Sequence, residues 1–198
     1  MRLPAAIAQL VKWTEPGSTR YPLSGVRIGR SSGKCFAEAT DGRRLALLEW
    51  EDKGGAVDCI ADGRPLAKAI RAAGRNKPSS IDMLGVDSAV VNGENVPLIP
   101  GQWPQSEDLF AEERIGQQTA SFSAQQLRDL AKRTPVKIGE ATVLLNVKYL
   151  EDLADAMDAA DAPVATFKAS DAQSQVLAEC VSQRGTNLTA VIMPMAAD

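Results

Sequence analysis

Residues 25–50, GVRIGRSSGKCFAEATDGRRLALLEW, decide how the chain folds. Two apolar runs, GVRIGR and KCFAEAT, are joined by SSGK, a hairpin signal, and a third run, RLALLEW, follows a turn at Asp41-Gly42. Gly42 is available for positive φ there. Asp41 reads as a turn-capping residue and not as a catalytic acid, because no partner carboxylate at a telling spacing, nucleophile or base accompanies it.

Toward the N-terminus, residues 3–13 read as a helix opened by Pro4, with Ile7, Leu10 and Val11 on one side. Toward the C-terminus, AVDCIA (56–61) reads as a strand. GRPLAKAIRAAG (63–74) reads as a short helix bracketed by Pro65 and Gly74. Short strands follow at 80–86, 88–93 and 95–100. The stretch 97–118 is rich in proline, glycine and charge, as domain borders are, which divides the chain into residues 1–112 and 113–198.

The second part opens with the strand TASF (119–122) and a helix over 123–133, with Ser123 as its N-cap. Strands at 136–139 and 141–146 lead to an amphipathic helix, VKYLEDLADAMDAA (147–160), apolar at Tyr149, Leu150, Leu153, Ala154 and Met157. Strands at 164–170, 173–180 and 187–195 close the chain. The order strand, helix, several strands recurs at irregular spacing, so the expected class is α+β, built from a degenerate repeat whose neighbours stack side by side.

Composition narrows the function. The chain has 198 residues, 44% of them hydrophobic, enough for a core, and no apolar stretch approaches the ~20 residues of a membrane-spanning helix. No charged-then-apolar leader opens it, so a cytoplasmic location is the default. The three cysteines, Cys35, Cys59 and Cys180, are widely spaced and read as small buried hydrophobes. Histidine is absent, which removes the commonest general base and metal ligand together. No GxxxxGK[ST] loop, GxGxxG turn or GxSxG elbow is present, so neither an enzyme nor a cofactor or metal site is expected.

The net charge of −3 hides a local basic pattern. Arg64, Lys68, Arg71 and Arg75 follow at i, i+4, i+7 and i+11, one stripe of the expected helix, which Lys77 extends. Arg128 and Lys132 form a second i, i+4 pair, and Lys12 adds a cation on the first helix. Without interleaved aromatics or recognition-helix spacing, such a stripe is either a solvated helix face or a surface for contact with phosphates, not base reading. Helix 147–160 is acidic instead, with Glu151, Asp152, Asp155 and Asp158.

Four motifs in order then carry a family resemblance. GVRIGRSSGKCFAEATDGRRLALLEW resembles the middle domain of the bacterial DNA polymerase III β subunit, the sliding clamp, and PLIPGQWPQSEDLF its closing segment. LLNVKYLEDLADAM resembles the last helix of that family's final domain, and AVIMPM its C-terminal end. The resemblance is to a shortened form with counterparts of the middle and C-terminal domains. It implies a DNA-clamp fold with helices on one face of antiparallel sheets, and like domains arranged in a ring on duplex DNA without sequence preference. Two domains per chain would close a six-domain ring as a homotrimer.

It also implies partners: a DNA polymerase, other clamp-binding-motif proteins and a clamp loader. Carried over position by position, the peptide pocket would comprise Leu23, Thr40, Gly42, Arg43, Arg44, Leu45, Pro104, Leu109, Tyr149, Gln175, Val176, Val191, Met193, Pro194 and Met195. Flexible methionines and leucines suit an apolar groove that serves several partners. The expected function is a processivity factor that catalyses nothing. The alternative is a reduced relative that acts as an adaptor or competitor for clamp-binding peptides without encircling DNA.

Overall fold

The computed structural model describes residues 1–18, 21–55, 57–74, 77–110, 116–132, 135–182 and 185–196. They form two compact units, one of Met1–Gly42 with Ala46–Pro104, the other of Gln105–Asp198 with Arg43–Leu45. The border expected at residue 112 lies outside the described residues.

In the first unit, strand β1 (Arg2–Leu3) precedes helix α1 (Ile7–Leu10) and a 3-10 turn, Val11–Trp13. Strands β2 (Gly25–Ser31), β3 (Lys34–Thr40), β4 (Arg44–Trp50, of which Arg44 and Leu45 fall in the second unit) and β5 (Cys59–Asp62) follow. Helix α2 (Gly63–Ala72) and strands β6 (Ser79–Met83), β7 (Ser88–Val91) and β8 (Glu94–Pro97) complete it. The unit is thus strand, helix, three strands, written twice. One sheet runs β5-β2-β3-β4 and the other β1-β6-β7-β8; the registers fixed for β1 with β6, β6 with β7, β7 with β8, β2 with β3 and β2 with β5 are antiparallel.

Residues 3–13 are therefore not one helix. Arg2 and Leu3 pair with Ser80 and Ser79, and the Trp50 indole donates to the Arg2 carbonyl at 2.9 Å. These sheet bonds satisfy the backbone that a helix would have used, so the helix starts only at Ile7.

Elsewhere the local signals match the fold. Ser32 and Gly33 both have positive φ, 49° and 84°, the backbone of the tight β2–β3 turn. The Asp62 carboxylate accepts from the Arg64 amide at 3.1 Å and opens α2. Leu66 and Ile70 of α2, Ile7 and Leu10 of α1, and Trp13, Ile28, Leu48 and Ile81 are fully buried, which places the core between helices and sheets. Asn92, at φ 53° in the β7–β8 turn, links three elements. Its amide donates to the Ala69 carbonyl at 3.0 Å and the Ser79 hydroxyl at 2.8 Å, and accepts from the Ser80 amide at 3.1 Å.

The second unit holds β9 (Gln118–Phe122), α3 (Ala124–Leu130), β10 (Val136–Ile138), β11 (Ala141–Val143), α4 (Val147–Ala160), β12 (Ala165–Ala169), β13 (Val176–Val181) and β14 (Asn187–Ile192). Its main sheet runs β14-β13-β12-β9, all antiparallel, with β10 and β11 as a separate hairpin. Among the described residues two strands lie between α3 and α4, where four lie between α1 and α2. Ser123 and Gln126 close a capping box at the start of α3. Phe122 meets Phe167 edge to face at 5.2 Å, above a core of Leu127, Ile138, Leu150, Leu153 and Met157.

All three cysteines are buried and free. Burial, helped by neighbouring Asp58 and Glu179, pushes the Cys59 thiol up to about 11 and the Cys180 thiol to about 12. Among the described residues no helix is long and apolar enough to cross a membrane.

Candidate functional site

The site in the second unit is organised by α4. Asn146 caps its start by accepting from the Lys148 amide at 2.9 Å, and Asp161 ends it in the left-handed region at φ 58°. Of the expected apolar stripe, Leu150, Leu153, Ala154 and Met157 are fully buried, and Tyr149 is half-buried. Asp152 sits about 200° around the helix from Leu150. Its side chain is nevertheless only 1% exposed.

A carboxylate so buried needs compensation. Arg44 supplies it, with Nη1 2.9 Å from Asp152 Oδ2 and its own side chain 4% exposed. Lys148 Nζ adds a second contact at 3.0 Å from the exposed rim. The Arg44 guanidinium also lies 4.2 Å from the centre of the Tyr149 ring, so one cation fixes both an acid and an aromatic face.

The C-terminal run passes beside this cluster. Beyond β14 the Met193 amide donates to the Arg43 carbonyl at 3.0 Å and the Met195 amide to the Leu144 carbonyl at 2.8 Å. Pro194 stands between them and has no amide to donate. The backbone is pinned at two points, while the Met193 and Met195 side chains are each 46% exposed. Gln175 Nε2 donates to the Leu109 carbonyl at 2.9 Å, which holds the 3-10 turn Glu107–Phe110 to the entry of β13.

Within this unit Arg44 thus meets Tyr149, Met193 meets Arg43 through the backbone, and Gln175 meets Leu109. Leu45, Val176 and Val191 are buried, with Val176 opposite Ile192 and Leu177 opposite Val191 in the β13–β14 ladder. In the first unit, Leu23 and Thr40 are buried and Pro104 is exposed. The exposed Gly42 has φ 84° and donates its amide to the Thr40 hydroxyl at 3.0 Å.

The basic residues divide. Arg64, Lys68 and Arg71 stand exposed on α2, although Arg71 Nη2 also donates to the Ala8 carbonyl at 3.3 Å. Lys77 is exposed beyond the helix, Lys12 is half-buried, and Arg75 lies outside the described residues. Arg128 is engaged by the acidic helix, with Nη2 2.8 Å from Asp155 and 2.6 Å from Asp158. The hydrogen bonds it donates to Asp155 and then Asp158 raise its pKa further, so its charge is spent inside the unit. Lys132 pairs with Asp129 at 3.2 Å.

Sequence reading grouped Asp152 with Glu151, Asp155 and Asp158 as the acids of this helix. Ala156 and Ala160, four and eight residues on and both buried, mark a second covered face on α4. It also missed an open concavity of about 560 Å³ lined by Phe122, Gln126, Asp129, Leu130 and Lys132.

No protein-family model matches the sequence, and no curated protein matches it either. Solved structures do. The DNA polymerase III subunit beta of Pseudomonas aeruginosa is similar over 99% of this chain and 66% of its own, at 19% identity and a TM-score of 0.73. A sliding clamp from the same organism, bound to griselimycin, is similar over 100% of this chain and 65% of its own, at 18% identity and a TM-score of 0.74. The DNA polymerase sliding clamp of Bacillus subtilis is similar over 100% and 64%, at 13% identity and a TM-score of 0.76. The chain spans just under two thirds of the length of these proteins. The expected α+β class and the resemblance to a shortened clamp are both borne out, and the fold of this chain is that of the bacterial sliding clamps.

Proposed function

We propose that the chain is a sliding-clamp-like processivity factor, a cytoplasmic tether and not a catalyst, that holds a DNA polymerase or repair factor on duplex DNA through a hydrophobic peptide-binding site. The observation that carries this reading is the likeness in fold, over 99–100% of this chain, to proteins described as sliding clamps. The pinned, half-exposed Met193 and Met195 supply an adaptable apolar surface for a short peptide. Arg64, Lys68 and Arg71 supply cations for phosphates. Pairs of domains from three copies, joined head to tail through an interface that closes, would make a six-domain ring for a clamp loader to open.

The test has two arms. Native mass and retention on nicked circular DNA report the ring: a trimer that stays on closed circles and runs off linear DNA is expected, and a monomer that is never retained sinks it. Titration with a labelled peptide carrying the hydrophobic motif of a bacterial replicative polymerase reports the site. Met193→Ala with Met195→Ala should abolish that binding.

The engagement of Arg128 by Asp155 and Asp158 favours a second reading, a reduced clamp relative that binds such peptides as an adaptor or competitor without encircling DNA. Peptide binding with no salt-sensitive DNA association would select it.

A further inference from the structure

We propose that Met193 and Met195 form an oxidation site through which peroxides switch off peptide docking, an inference that rests on the docking reading above. Of the five methionines, Met1 and Met157 are 8% and 0% exposed, whereas Met193 and Met195 are each 46% exposed and Met83, on the other unit, 40%. The two methionines at the candidate site are therefore half-exposed, within reach of small oxidants. They are also held there, because the Arg43 and Leu144 carbonyls pin the backbone on either side of Pro194.

The competing sulfur chemistry is suppressed, since Cys35, Cys59 and Cys180 are all buried and the thiolate is the reactive form. In the step itself an oxygen passes from peroxide to the thioether. An S–O bond forms, the O–O bond breaks, sulfur gives up two electrons and the peroxide leaves as water. The product is a polar, chiral sulfoxide where an adaptable apolar side chain stood, and methionine sulfoxide reductases reverse it. A groove that binds through apolar contact loses that contact at two neighbouring points, while the fold, whose buried Met157 is not reached, stays intact.

The experiment treats the full chain carrying Met83→Leu with hydrogen peroxide, maps sulfoxides by peptide mass, and measures affinity for the labelled polymerase-motif peptide before and after. Oxidation at residues 193 and 195 with at least a tenfold loss of affinity, restored by the reductases, is expected. In Met83→Leu/Met193→Leu/Met195→Leu the ratio of treated to untreated affinity should stay near one, whatever its starting affinity. Binding that survives full oxidation at both positions overturns the switch alone, as do sulfurs that do not react or an equal loss in the leucine variant. An untreated protein that binds no peptide overturns the docking reading, and the switch with it.

Discussion

The Arg44 guanidinium and the Asp152 carboxylate meet at 2.9 Å across 108 residues of sequence, with 4% and 1% of their side chains exposed. Removing one partner leaves the other charge buried, so Arg44→Ala should cost about 3–5 kcal/mol. Lys148→Ala, at the exposed end of the same cluster, should cost under ~1 kcal/mol. Arg44→Met with Asp152→Leu should recover most of the loss. Denaturant midpoints of the four proteins check the series.

Asn92 combines a positive φ with three hydrogen bonds to α2 and β6. Asn92→Ala should destabilise by about 2–3 kcal/mol, because it loses the bonds and strains the turn. Asn92→Gly, which tolerates the backbone, should cost about 1 kcal/mol less. Thermal unfolding separates the two contributions.

Arg128 stands between two acids at partly exposed positions. Arg128→Ala should lower stability by about 0.5–1 kcal/mol at low salt and by less at high salt, where Asp155 and Asp158 repel less. Urea midpoints at two ionic strengths give the comparison.

If the α2 cations meet phosphates, reversing Arg64 and Lys68 to Glu should reduce the slope of log K against log salt for DNA by about 2. Arg128→Ala should leave that slope unchanged, because its charge is already engaged. Fluorescence titrations on duplex DNA over a salt series measure both.

Asp171 is held below its ordinary 3.8 by the Gln173 amide first, then by the Ser174 hydroxyl and amide. A depressed folded value means stability that is present above about pH 4 and lost as pH falls through the folded value. Asp171→Ala should therefore be less stable than the native chain at pH 6, with the gap closing toward pH 2. Midpoints in buffered urea follow it.

Much of the fold was legible because it is local. The 3.6 period set α4 at 147–160, and the turn signals SSGK and Asp41-Gly42 set β2, β3 and β4. Ser123 opened α3 as its side chain predicts. The N-terminus misled, since Pro4 suits a helix start, yet Arg2 and Leu3 gain more by pairing with Ser79 and Ser80, a contact that no local pattern carries. Of the candidate site, the motifs pointed to Tyr149, Met193 and Met195. Asp152 read only as one of four acids on its helix, because its burial depends on Arg44, 108 residues away in sequence.

The sequence by itself determined most of the elements beyond the N-terminal strand, their order and the resemblance to clamps, because hydrophobic period, caps and turns act over a few residues. Only the tertiary structure decided which charges are spent and which are exposed. Arg128 and Arg64 look alike in sequence, yet one is engaged by α4 and the other stands exposed on α2. It also decided that the apolar C-terminal run is pinned by two carbonyls with both thioethers half-exposed, since burial and pairing are properties of distant neighbours and not of the residue.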